Sequence, residues 1–149
     1  MSSDVIGRPM EILLVEDSLV DVRLTIGALA KGQIKHRLTI CVDGDEAIEF
    51  LGRQGRFARA PRPDLVLLDL FLPKKDGHEV LAAIRADKAL HSIPVVIMTA
   101  STDPADKAAA EKLQVEAYIE KPMNLDKFLT LVKELKRFWL NDVLLPAAI

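Results

Sequence analysis

Short apolar runs alternate with helical patterns from one end of this chain to the other. The runs fall over residues 11–15, 37–42, 64–70, 94–100 and 117–120, each too short for a helix and bounded by turn or cap residues. Apolar runs that alternate with helices imply a parallel sheet covered on both faces. Ser18 can cap a first helix over 19–31 that stops near Gly32, and Asp43 a second through Glu46, Ala47, Ile48 and Leu51. Pro73-Lys74-Lys75-Asp76-Gly77 is a turn feeding a third helix over 78–86, with glycine suiting a corner of positive φ. Asp103-Pro104 opens a fourth over 105–113, and Asn124 caps a long fifth over 125–140. Five strands and five helices make one α/β domain over 1–149 and leave no room for a second.

Ligands of open parallel sheets sit beyond the carboxyl ends of the strands. Glu16-Asp17 closes the first strand, Asp69 the third, Thr99 the fourth and Lys121 the fifth. Three carboxylates crowded at one edge resist ionisation unless a cation joins them. A hard metal ion with oxygen ligands is the simplest such cation. Asp69 is then placed to act as a nucleophile toward phosphorus. Taken singly, each residue has a plainer reading: Asp69 as a turn residue, Glu16-Asp17 as favourable charge at a helix start, Lys121 as a solvated cation, Thr99 as an ordinary strand residue. No packing requirement places all of them on one edge.

Composition narrows the function. The chain has 149 residues, half of them hydrophobic, and a formal net charge of -2, so no global basic field points to nucleic acid. Cys41 is the single cysteine and falls in an apolar run, as a buried, inert thiol would. No apolar stretch spans a bilayer and the first residues lack a signal-peptide core, so a cytoplasmic protein is expected. His36, His78 and His91 lack zinc-ligand spacing, and Arg53, Arg56, Arg59 and Arg62 read as a solvated loop.

The motifs LLVEDS, PDLVLLDLFLPKKDG, PVVIMTA and AYIEKP, in that order, resemble the receiver domain of two-component response regulators over nearly the whole chain, about residues 10–140. The resemblance implies a doubly wound, flavodoxin-like sheet in strand order 2-1-3-4-5. It implies Asp69 as phosphoacceptor, Mg²⁺ held by Glu16, Asp17, Asp69 and the backbone carbonyl of Phe71, and Thr99 and Lys121 contacting phosphoryl oxygens. It also implies a cis peptide at Lys121-Pro122, and a switch in which Tyr118 moves inward as Thr99 moves toward the phosphate. In receivers the positions of Phe71 and Ser101 lie near the path of attacking water, so the resemblance implies that these two residues tune the lifetime of an aspartyl phosphate. The implied partner is a sensor histidine kinase, with output through protein contacts or phosphorelay to a downstream protein. The loop lengths and FWLNDVLLP are similar to small response regulators associated with bacterial phytochromes, which makes the kinase a red/far-red photoreceptor.

Two competing readings use the same residues. An aspartate-nucleophile phosphatase usually carries D-x-D after its first strand, whereas Glu16-Asp17 is not D-x-D and Asp69 follows the third. A pseudo-receiver used only for binding is disfavoured by the complete set of Glu16, Asp17, Asp69, Thr99 and Lys121. In the last helix, Leu125, Phe128, Leu129, Val132, Leu135 and Trp139 recur at helical spacing and suit the sheet. Leu131 and Phe138 lie toward the edge of that stripe, and Val143, Leu144 and Leu145 follow in an apolar extension over 138–149. Receivers commonly pair through the face of the fourth helix, fifth strand and fifth helix, which includes Tyr118. With this apolar tail, the resemblance therefore implies a symmetric homodimer through Tyr118, Leu131, Phe138 and Val143–Leu145, with the tail folding back on its own domain as the alternative.

Overall fold

The structure, a computed structural model, describes residues 8–141, and their side chains as far as Leu135. Five strands, β1 (Met10–Val15), β2 (His36–Cys41), β3 (Leu65–Leu68), β4 (Val95–Thr99) and β5 (Ala117–Glu120), form one parallel sheet in the order 2-1-3-4-5. Between and after them run α1 (Leu19–Lys31), α2 (Gly44–Leu51), α3 (Gly77–Ala86), α4 (Pro104–Lys112) and α5 (Leu125–Asn141). The expected fold is therefore the observed one.

Strand alternation divides the core. Leu13, Val15, Val66, Leu68, Val95 and Ile97 face α2 and α3, where Phe50, Leu81 and Ile84 complete one buried layer. Their neighbours Ile12, Leu14, Leu65, Leu67, Val96 and Met98 face the other way, against Leu29 of α1 and Phe128 and Val132 of α5. Near-continuous apolar strands are what a sheet covered on both faces requires. Phe128 is fully buried, and truncating such a side chain to alanine costs about 3–5 kcal/mol. Within the described part of the expected α5 stripe, Phe128, Val132 and Leu135 are buried and Leu125 and Leu129 half-buried.

The turns use the cap residues read from the sequence. Ser18, Asp43, Asp76 and Asp103 each accept a backbone N–H in the first turn of their helix, and Asn124 accepts from Lys127 at 2.9 Å. Asp76 and Glu79 form a reciprocal capping box.

Some boundaries differ from expectation. Asp64 precedes β3 rather than opening it. Its buried carboxylate takes both arms of the Arg8 guanidinium, at 2.5 and 2.8 Å, and the Glu11 N–H at 2.8 Å. Gly77 begins α3 but does not have positive φ, which falls instead on Lys74 (φ 68°). Glycine is required at 77 by proximity: a β-carbon there would lie 2.2 Å from the Asp69 carbonyl oxygen. The arginine segment is less free than a solvated loop. Residues Gly55–Phe57 make a 3-10 turn, and Arg56 lies over the Phe57 ring at 4.6 Å while pairing with Glu46.

Candidate functional site

β1 and β3 are adjacent and in register, Val15 opposite Leu68, so the residues that follow them emerge side by side. Glu16, Asp17 and Asp69 thereby offer carboxylate oxygens that all lie within 4.8 Å of one another, the one such acidic, histidine or cysteine group among the described residues. Glu16 and Asp69 are buried, and Asp17 is exposed. One carboxylate on the solvent side and two beneath it leave an approach from outside. Burial pushes Glu16 up to about 7, the charge of Asp69 adds to the rise, and Lys121 opposes it. A hard, all-oxygen donor set that carries excess negative charge fits a divalent cation of the Mg²⁺ type.

Lys121, just beyond β5, reaches into this group. Its ammonium donates to Glu16 Oε1 at 2.7 Å, to Asp21 Oδ2 at 2.8 Å and to Asp69 Oδ2 at 3.2 Å. Burial alone would lower the lysine pKa, but the hydrogen bonds to Asp21 and Glu16 and the charge of Asp69 hold it above its usual value. The Lys121–Pro122 peptide is cis, as the resemblance implies.

Asp21 was not among the residues singled out from the sequence. It sits in the first turn of α1, where an acidic residue needs no more explanation than the helix dipole. The available signal was its phase. Ser18 is the N-cap, which makes Asp21 the third helical residue, whose side chain turns back toward the chain entering the helix. That entering chain carries Glu16 and Asp17.

Thr99 ends β4, is fully buried, and accepts the Ser101 N–H on its hydroxyl at 3.3 Å. From there a polar chain runs outward. The Ser101 hydroxyl donates to Asp106 of α4 at 2.5 Å, and the other Asp106 oxygen lies 3.2 Å from His78 Nε2 of α3. These two partners, Ser101 first, lower the Asp106 pKa. Tyr118 of β5 is half-buried with its hydroxyl buried and without a hydrogen-bond partner among the described residues, so the hydroxyl is not the wet one of an ordinary strand tyrosine. Burial raises its pKa. Thr99 lies opposite Glu120 in the sheet, and Ile97 opposite Tyr118.

Phe71 has an exposed side chain, and its N–H donates to Asp69 Oδ1 at 3.1 Å, which orients the carboxylate. Leu131 is half-buried beside the α1/α5 core layer. The Phe138 side chain and Val143, Leu144 and Leu145 lie outside the described residues. Cys41 is buried, and burial with nearby Glu46 pushes its thiol up to about 12, as expected of an inert cysteine. No helix among the described residues is long and apolar enough to cross a membrane.

Comparison with known proteins identifies the family. The response regulator Rcp1 of Synechocystis is 47% identical over 146 residues, which cover 98% of this chain and 99% of Rcp1. The Mn²⁺-bound form of Rcp1 superposes with a TM-score of 0.77 at 46% identity, covering 89% of this chain and 95% of that one. The phosphorylated cyanobacterial phytochrome response regulator RcpA gives 0.78 at 44% identity, covering 93% of this chain and 99% of that one. The model of the response regulator receiver domain matches residues 12–133, from within β1 into α5. A sheet in this order, an acidic edge in this register and relatives matched along nearly their full length have one common explanation: the chain belongs to the response regulator receiver domain family.

Proposed function

We propose that Asp69 takes a phosphoryl group from a phosphohistidine of a sensor kinase, with Mg²⁺ held by Glu16, Asp17, Asp69 and the Phe71 carbonyl. The observation that supports this is the convergence of three carboxylates within 4.8 Å, two of them hydrogen-bonded to one lysine ammonium. In the step, an Asp69 oxygen forms a bond to phosphorus as the bond to the donor imidazole nitrogen breaks, and the leaving imidazole picks up a proton. A bound divalent cation would neutralise phosphoryl and carboxylate oxygens that otherwise repel. The Phe71 N–H fixes one Asp69 oxygen. Lys121 supplies a compact positive charge, and Thr99 supplies a hydroxyl donor to a phosphoryl oxygen. Hydrolysis of the acyl phosphate returns the carboxylate, so the domain participates in its own modification and its own reset.

The phosphoryl group then acts by population shift. Drawing the Thr99 hydroxyl inward breaks its bond to the Ser101 N–H and alters the space around Tyr118. Likeness to the phytochrome response regulator RcpA supports a phytochrome as the kinase. Output then passes by contact with a downstream protein or by phosphorelay. The apolar residues Phe138, Val143, Leu144 and Leu145, with Leu131 and Tyr118, support a homodimer through α5 and its extension.

The test is phosphotransfer from a histidine kinase labelled on its histidine. Wild type takes up the label and Asp69→Asn does not. Equal transfer to both rules out Asp69 as the acceptor.

A further inference from the structure

Lys121 spends its three N–H donors on three carboxylates, and one of them does not belong to the acidic group. Glu16 and Asp69 are in that group; Asp21 stands outside it, in the first turn of α1. Lys121 and Asp21 together border a narrow cleft between α1 and the ends of β4 and β5, lined also by Leu24, Thr25, Met98 and Ile119. The Thr25 hydroxyl donates to the Asp21 carbonyl at 2.8 Å, and the Asp21 N–H donates to the Ser18 hydroxyl at 3.3 Å, so Asp21 is fixed at both backbone ends.

An ammonium and a divalent cation compete for the same carboxylates. A metal that draws on Glu16 and Asp69 therefore weakens two of the three bonds that hold Lys121 in place. We propose that Asp21 is a positioning residue. It draws Lys121 to the rim of the site, so that the cation meets less competition, and keeps the ammonium there after Glu16 and Asp69 have turned to the metal. This rests on the receiver reading above and adds to it a residue that neither binds metal nor accepts phosphate. Without Asp21, the ammonium settles more fully on Glu16 and Asp69 in the metal-free protein. Once metal is bound, it has no fixed anion and its head moves into solvent.

The probe is Mg²⁺ alone, titrated calorimetrically into the metal-free full chain, in wild type, Asp21→Asn, Lys121→Met and the double variant. Asp21→Asn weakens Mg²⁺ binding about threefold or more, whereas the same change in the Lys121→Met background has a clearly smaller effect, because the two residues act as a unit. Asp21→Glu, which keeps the charge, restores most of the affinity. The second readout is the side-chain ammonium resonance of Lys121. It stays slowly exchanging with Mg²⁺ in wild type and is lost to exchange with Mg²⁺ in Asp21→Asn. Equal losses of affinity in both lysine backgrounds would show that Asp21 acts only as bulk negative charge, and would overturn this inference while leaving the receiver reading intact. An unchanged ammonium signal in Asp21→Asn also overturns it. Failure of wild type to bind Mg²⁺ overturns the metal reading and this inference together.

Discussion

The start of α3 is seated on the backbone of Asp69: a β-carbon on Gly77 would lie 2.2 Å from the Asp69 carbonyl oxygen and 2.5 Å from the Leu70 α-carbon. The Gly77 N–H also donates to the Leu70 carbonyl at 2.9 Å. Both neighbours are backbone, so neither can rotate aside. Gly77→Ala therefore pushes the candidate acceptor out of register with Glu16. We expect a loss of about 1–3 kcal/mol in urea unfolding, together with weaker Mg²⁺ binding. An unchanged unfolding midpoint would contradict the close approach.

Arg85 works at the other end of the sheet. Its guanidinium donates to the carbonyls of Leu113, His91, Ile93 and Gln114 at 2.7–3.1 Å, tying α3 to the chain ends around α4 and β4. Arg85→Met keeps much of the stem and leaves those carbonyls without a donor. The expected cost is about 1–3 kcal/mol in unfolding free energy. Mg²⁺ affinity stays at the wild-type level, because no metal-site residue touches Arg85. A large change in affinity would reveal a coupling between the two ends that these contacts do not provide.

Much of this architecture was legible because each element carries its own signal. Short apolar runs marked the strands, and Ser18, Asp43, Asp76, Asp103 and Asn124 marked the helix starts. The acidic edge was legible because Glu16, Asp17 and Asp69 stand at the ends of strands that the fold makes adjacent. What escaped depends on direction in space. Asp21 looks like any first-turn acid until Lys121, a hundred residues later, is brought 2.8 Å from it. Arg8 and Asp64 are likewise joined only by the sheet. Gly77 reads as a corner from its turn motif, but what requires glycine there is proximity to the Asp69 carbonyl and not positive φ, and no turn motif shows that proximity.

The acidity of Glu16 gives a pH dependence to metal binding. In the metal-free protein its value near 7 lies above the ordinary 4.5, with burial as the main cause. The folded state therefore favours the proton: this contribution to stability is complete below the ordinary value and is lost as pH rises through about 7. Metal needs the ionised form, so below 7 it must displace a proton. Mg²⁺ titrations at increasing pH should show affinity rising toward neutrality, by up to about tenfold per pH unit, and levelling off above it. Glu16→Gln should remove the slope. A wild-type affinity flat across that range would contradict the buried, proton-binding carboxylate.

Lys121→Ala separates modification from switching. The carboxylates remain, so phosphorylation persists at a reduced rate. The charge that links the phosphoryl group to β5 is gone, so the environment of Tyr118 should no longer change. The check is NMR of the beryllofluoride-treated variant. A wild-type change at Tyr118 would show that Lys121 is not the coupling residue.

The central claim is that Asp69 is a metal-dependent phosphoacceptor, and intact-mass measurement after treatment with acetyl phosphate tests it most directly. Wild type with Mg²⁺ should gain one phosphoryl group per chain, located on Asp69. Wild type in EDTA and Asp69→Asn with Mg²⁺ should gain none. Full labelling in EDTA, or labelling of Asp69→Asn equal to wild type, would contradict it.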